Sequence, residues 1–177
     1  MAGMRPAVHL ETPSPDRERE FITAVHASRT LHRRLVSPPH TRALYRAYLA
    51  CAQQPSGVGH FVCTPSGELA GVVNLNEIVR GSFRSAYLGY YAFVPHDRQG
   101  NMAEGLRLVV ARAFGKYRLH RVEANIQPRN SRSIQLVKRL GFRLEGFSPR
   151  YLKISGRWRD HERWALTVED WHTRRRP

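Results

Sequence analysis

Apolar positions along this chain recur at two spacings, and the switches between them mark out the elements. Val8 to Leu10 has the texture of a short strand and gives way to a proline-rich turn. Asp16 then stands where an N-cap belongs, ahead of Phe21, Ile22 and Val25 at helical spacing, and that helix is expected to run to about Ser28. Pro38 and Pro39 close the next segment, and Leu44, Tyr45, Tyr48 and Leu49 predict a second helix over roughly Thr41 to Cys51. From His60 the period is that of strands. His60–Thr64, Leu69–Val79 and Tyr87–Val94, separated by Pro65-Ser66-Gly67 and Gly81-Ser82, predict an antiparallel meander ending at Pro95.

The period changes again at Met102. Met102, Leu106, Val109, Val110, Ala113 and Phe114 fall on one helical face, and Gly115 is placed to end that helix. Arg121–Ile126 reads as a strand. Asn130 or Ser131 caps a short helix bearing Ile134, Val137 and Leu140, with Gly141 at its C-terminus. Phe142 to Glu145 begins another strand, and Tyr151–Ile154, Ser155-Gly156 and Trp158–Thr167 form a closing hairpin. The predicted order is β-α-α-β-β-β-α-β-α-β-β, an α/β fold on a mixed sheet. At 177 residues the chain fits one domain, 1–177, with its core over about 8–171 and a short basic tail.

Composition narrows the class. An apolar share of 41% can build a core, yet no run approaches the roughly 20 residues of a membrane span. Met1 to Pro15 carries prolines and Glu11 where a leader would need an apolar stretch, so a soluble, cytoplasmic protein without membrane contact is expected. Cys51 and Cys63 form no Cys-x-x-Cys pair, and the nine His are scattered, so reduced thiols and no metal are expected. The net charge of +15 points to an anionic partner: nucleic acid, a phosphorylated cofactor or an acidic protein surface. Nearly all of it is Arg, spread along the chain apart from Arg174 to Arg176, which is equally the mark of a biased genome composition.

The chemistry concentrates in Val94-Pro95-His96-Asp97-Arg98-Gln99-Gly100-Asn101-Met102-Ala103. A strand ends, a polar loop with one glycine follows, and an amphipathic helix starts at once. A helix N-terminus presents unpaired N–H groups and the positive end of the dipole, so it favours an anion, and Gly100 and Arg98 suit a phosphate. Further on stand Asn130-Ser131-Arg132-Ser133 and Leu140-Gly141-Phe142. With these, the chain resembles the GNAT superfamily of N-acetyltransferases, whose acyl-CoA loop follows the pattern Gln/Arg-x-x-Gly-x-Gly/Ala. Val79-Arg80-Gly81-Ser82-Phe83, Tyr87-Leu88-Gly89-Tyr90, Gln99-Gly100-Asn101-Met102-Ala103-Glu104 and Gly156-Arg157-Trp158-Arg159-Asp160-His161 are similar to the ribosomal-protein alanine acetyltransferase branch.

The resemblance implies a single domain with a mixed, mostly antiparallel twisted sheet flanked by about four helices. It also implies acetyl-CoA as co-substrate and an amine acceptor, foremost a protein N-terminus such as that of a ribosomal protein, with ribosomal RNA as a further contact for the basic surface. Phe93 and Val94 would polarise the thioester carbonyl through backbone N–H groups. Arg98, Gln99, Gly100, Asn101, Met102 and Ala103 would hold the pyrophosphate, and Asn130 the pantetheine. The cofactor's amide arm would need a gap between the strands Tyr87–Val94 and Arg121–Ile126. Asp97 and Met102 depart from the family's loop pattern, and Val137 occupies the position where many members carry the Tyr that protonates the thiolate. Ser133 is then the candidate acid, or merely a capping residue. Glu77, a lone carboxylate in an apolar strand, is the candidate base or a solvent-facing residue, and Tyr151 is a third candidate or a packed aromatic. A small-amine acetyltransferase (amino sugar, polyamine or antibiotic) and a catalytically silent ribosome- or RNA-binding module are the competing readings.

Overall fold

A computed structural model describes residues 7–173, so the first six residues and the run Arg174 to Arg176 lie outside it. Seven strands form one sheet in the order β1-β2-β3-β4-β5-β7-β6: β1 (His9–Glu11), β2 (Val58–Cys63), β3 (Leu69–Val79), β4 (Ser85–Ala92), β5 (Arg121–Ile126), β6 (Arg143–Ile154) and β7 (Arg157–Thr167). Every neighbouring pair is antiparallel except β4 and β5, which run parallel.

That one parallel pair positions the site. Its register runs from Ser85↔Arg121 to Leu88↔Ala124 and stops there. Beyond Leu88, β4 stays paired with β3 as far as Ala92↔Gly71, while β5 stays paired with β7 as far as Ile126↔Glu162. The two strands therefore part where β4 still has four residues to run, and the expected gap is present.

Helices cover both faces. α4 (Asn101–Phe114) and α5 (Ser131–Leu140) bury Leu106, Val109, Val110 and Val137 against Val73, Leu88, Val122 and Ala124. On the other face α1 (Glu18–Ala27) and α3 (Arg42–Ala52) bury Phe21, Val25, Tyr45 and Leu49 against Phe61, Val72, Tyr91 and Phe93. The Phe21 ring anchors this layer, 4.8 Å from Tyr45 and edge-on to Phe93 at 5.6 Å.

Several boundaries differ from expectation for local reasons. Pro15–Arg17 forms a 3-10 turn, so Arg17 rather than Asp16 precedes α1, and no side chain caps it. Two short helices, α2 (Arg29–His32) and α6 (Val168–Thr173), raise the expected four helices to six among the described residues. The final strands form one long hairpin. Pro149 interrupts β6 without ending it, because an edge strand can lose a donor on its solvent side. The ladder shifts register between Ser148 and Leu152, where Arg150 takes φ 48° and its N–H bonds Asp160 Oδ1 at 2.7 Å.

Candidate active site

The start of α4 sits beside the β4–β5 gap. Gly100 is the N-cap residue at φ 82°, a left-handed conformation that glycine adopts without cost, and it offers no capping side chain. The loop's own amides turn back on the loop: Gln99 Nε2 donates to Pro95 O at 2.8 Å and Asn101 Nδ2 to His96 O at 3.1 Å. Among the described residues the first N–H groups of α4 have neither intrahelical nor side-chain partners, which is the condition for binding an anion. Asp97, the unfavourable charge, is ion-paired to Arg98 at 3.6 Å. Met102 finds room because β3 has no side chain at Gly71. A Cβ there would lie 2.6 Å from Tyr91 O, and nearer still to Met102 Sδ.

α5 begins differently. Asn130 Oδ1 accepts from Ser133 N at 3.3 Å, so this helix caps itself. Ser133 Oγ is hydrogen-bonded to the hydroxyl of Tyr90, which reaches across from β4. Burial pushes the Tyr90 hydroxyl up to about 12, against a smaller opposing effect of Ser133, so it stays protonated at neutral pH. Val137 is fully buried in the core below and offers nothing to the cavity. Tyr90 was missed in the sequence, although it alternates with the buried Ala86 and Leu88 on the helix-facing side of β4.

Phe93 and Val94 do not present the N–H groups expected of them. Phe93 N donates to Ala70 O at 2.8 Å inside the sheet, and Val94 N donates to Ser28 Oγ at 3.0 Å. Because Phe93 faces β3, strand alternation turns the backbone groups of Tyr90 and Ala92 toward the gap instead. Ala92 O accepts from His32 Nε2 at 2.7 Å. From His32 the chain crosses the gap: Arg34 O accepts from Gln127 Nε2 at 2.8 Å and from Arg129 at 2.9 Å, and Ser37 meets Ser155 in the β6–β7 turn at 3.3 Å. Together α2, the end of β4, the α4 loop and α5 wall a cavity of about 590 Å³, to which Gly100, Met102, Asn130, Ser133, Tyr90 and His32 all contribute.

A family model for the acetyltransferase (GNAT) domain matches residues 8–143. The chain is a member of the GNAT acetyltransferase family. Over 104 residues it is 43% identical to the [Ribosomal protein uS5]-alanine N-acetyltransferase of Escherichia coli, a match covering 59% of this chain and 54% of that protein. The chain thus spans about half the length of the curated relatives it matches. Among solved folds, Mycobacterium smegmatis RimJ in complex with CoA-disulfide superposes with TM-score 0.85 at 24% identity, covering 92% of this chain and 83% of that one. The Vibrio cholerae spermidine N-acetyltransferase SpeG gives TM-score 0.78 at 20% identity, covering 96% and 98%.

Within this GNAT domain, Phe93, Val94, Gln99 and Asn101 do not line the cavity, and two of the three candidate proton-transfer residues lie away from it. Glu77 is exposed at φ 49° on a bulge of β3, beyond the Asn76↔Tyr87 pair and outside the cavity wall. Tyr151 lies 6.2 Å from the His161 ring and contributes nothing to the wall. Trp158 is exposed near the hairpin tip, and Asp160 holds the Arg150 backbone. No metal-ligand set was visible in the sequence, yet β1 and β2 bring His9, Glu11 and Cys63 within 4.8 Å. A cation already serves that cluster: Arg17 lies 3.5 Å from both Cys63 Sγ and Glu11, and burial pushes the thiol up to about 11, away from a metal-binding thiolate. No described helix is long and apolar enough to cross a membrane.

Proposed function

We propose that this protein transfers the acetyl group of acetyl-CoA to the N-terminal α-amine of a protein, foremost a ribosomal protein, by direct attack in a ternary complex. The observation that carries the reading is the single cavity joining the uncapped start of α4 to the Ser133–Tyr90 pair through the β4–β5 gap. A diphosphate suits the bare α4 N–H groups, with Arg98 beside them and Gln99, Asn101, Met102 and Ala103 shaping the loop. The extended amide arm suits the gap, within reach of Asn130. The neutral α-amine's nitrogen attacks the thioester carbon and gives up one N–H proton to solvent, the C–S bond breaks, and Ser133, bonded to Tyr90, hands a proton to the sulfur and takes one back from solvent. Backbone groups of Tyr90 and Ala92 are the candidates to polarise the carbonyl.

The acceptor class rests on the uS5-alanine relative and on charge. The cavity wall carries Arg98, Arg129, Arg132 and Arg139 against one acid, Asp97, itself ion-paired. A polyamine such as spermidine would meet like charge there. An α-amine titrates near about 8, against about 10.4 for Lys, so it is easier to present neutral. A cytoplasmic location and contact of the +15 chain with ribosomal RNA belong to the same proposal. Thiol release from acetyl-CoA with peptides starting in Ala, Ser or Met, compared with small amines, is the test. Turnover on Ala- or Ser-starting peptides supports the reading. Turnover on small amines alone overturns the acceptor, and acetyl-CoA binding without any turnover overturns the activity.

A further inference from the structure

The string Val79-Arg80-Gly81-Ser82-Phe83, one of the four that resemble the ribosomal-protein branch, takes no part in the cavity. It lies at the other end of the molecule: β4 runs from Ser85 beside it to Ala92 in the cavity wall, and α4 runs from that wall back to Phe114. The turn after β3 and the loop after α4 meet here twice. Arg80 Nη1 donates to Tyr117 O at 2.7 Å, and Arg84 O accepts from His120 N at 2.6 Å. Phe83 stands on this turn 74% exposed, more than any other large apolar side chain among the described residues. On the same two segments Arg80, Arg84, Lys116 and Arg118 are all exposed. None of these four has an acid partner among the described residues, whereas Arg17, Arg42, Arg46, Arg107, Arg121 and Arg143 are held in ion pairs elsewhere. Glu169 borders the surface, but it holds His120 at 3.1 Å.

Unpaired cations on the same turn as an aromatic ring left in solvent suit a ligand that carries both negative charge and flat apolar faces. An acidic peptide supplies the charge without the rings. We propose that this end of the protein binds single-stranded RNA, with phosphates on Arg80, Arg84, Lys116 and Arg118 and an unpaired base stacked on Phe83. An exposed ring stacks on a base that is splayed out, so a duplex would satisfy the cations and leave Phe83 unused. This deepens the ribosomal-RNA contact of the reading above and rests on that reading for RNA rather than DNA. Because the surface and the cavity lie at opposite ends, a bound strand leaves the route to acetyl-CoA open.

The test is fluorescence anisotropy of a short labelled single-stranded RNA of mixed sequence, titrated with the full chain over a range of salt concentrations. Wild type should bind with a log–log salt slope of about −3, the value for four phosphate contacts on a single strand. Phe83→Ala should weaken binding about 10-fold at every salt concentration and leave the slope unchanged. Arg84→Gln combined with Lys116→Gln should weaken binding and make the slope shallower by about 1.4. Both variants alter exposed side chains, so the melting temperature and turnover on a free amine should stay at the wild-type values, which separates a docking surface from a damaged fold. RNA affinity of Phe83→Ala within twofold of wild type overturns the proposal, as does a slope that the double variant does not move. Tighter binding at equal salt to duplex RNA, to a glutamate-rich peptide or to phosphatidylglycerol vesicles also overturns it, and names the partner class that replaces single-stranded RNA. Absence of wild-type turnover on every amine would defeat the acetyl-transfer reading instead, and the RNA titration would still decide for or against this surface.

Discussion

α4 and α5 both begin on the wall of one cavity, and they begin in opposite ways. α4 starts at a left-handed glycine with no capping side chain, whereas α5 starts at Asn130, whose side chain occupies the Ser133 N–H. A bare start offers backbone donors and the positive end of a dipole to an anion. A capped start has spent that donor and offers side chains instead, here the Ser133 hydroxyl with Tyr90 behind it. In the proposed reaction one helix start would hold charge, and the other would move a proton. The division explains why the loop departures at Asp97 and Met102 are tolerable: backbone does the holding, Arg98 answers the acid, and Gly71 makes room for the methionine.

The largest effect is expected from making α4 begin as α5 does. Gly100→Asp supplies a capping carboxylate that competes for the donors left for phosphate and adds a like charge beside it. Calorimetry should show acetyl-CoA affinity falling about 1,000-fold, or about 4 kcal/mol, with a smaller loss of stability of about 1 kcal/mol because an L-residue is strained at φ 82°. Affinity within threefold of wild type would remove the anion site from α4.

Next in size is the chemistry at the other helix. Ser133→Ala keeps the backbone N–H that Asn130 caps, and Tyr90→Phe keeps the ring, so each removes only a hydroxyl. Each should lower kcat about 100-fold while leaving acetyl-CoA affinity within threefold, and the double variant should cost little more than either single one. Additive losses would mean that the two hydroxyls act separately. Glu77→Gln, outside the cavity, should leave kcat within about twofold, as expected of a surface position.

Gly71→Ala probes the seat of Met102 under β3. The added Cβ would crowd Tyr91 O at 2.6 Å, a backbone atom that cannot swing away. A thermal melt should show a loss of about 2 kcal/mol, the usual cost of overpacking, with a few-fold weaker acetyl-CoA binding as Met102 shifts the start of α4. Full stability and affinity would show that the methionine does not set the loop.

The contrast between the helix starts was only half legible in the sequence. Asn130 announced its cap, Gly141 its left-handed turn at φ 99°, and the strands Leu69–Val79 and Arg121–Ile126 fell where the alternation put them. These are signals carried within a few residues. Asp16 failed as a cap because the neighbouring proline starts a 3-10 turn one residue earlier. Tyr90 was findable from its face of β4, but its partner Ser133 lies 43 residues away. The place of His32 in the cavity wall had no local signal at all, since it depends on a carbonyl 60 residues distant. Phe93 does not offer its N–H because pairing direction turns it toward Ala70 of β3, and Val94 does not because Ser28 Oγ takes its N–H.

The smallest effect is expected at the cap itself, and it separates the two roles of Asn130. Its Oδ1 caps α5, and its position in the cavity wall allows the amide nitrogen to meet a ligand. Asn130→Ala should cost about 1 kcal/mol of stability, the usual value of a lost N-cap. Asn130→Ser restores an acceptor for the Ser133 N–H but supplies no amide. If Asn130 only caps, the serine variant regains both the melting temperature and the KM for acetyl-CoA. If the amide also binds the pantetheine arm, the melting temperature returns while the KM stays several-fold high, and α5 contributes to holding the co-substrate as well as to protonating it.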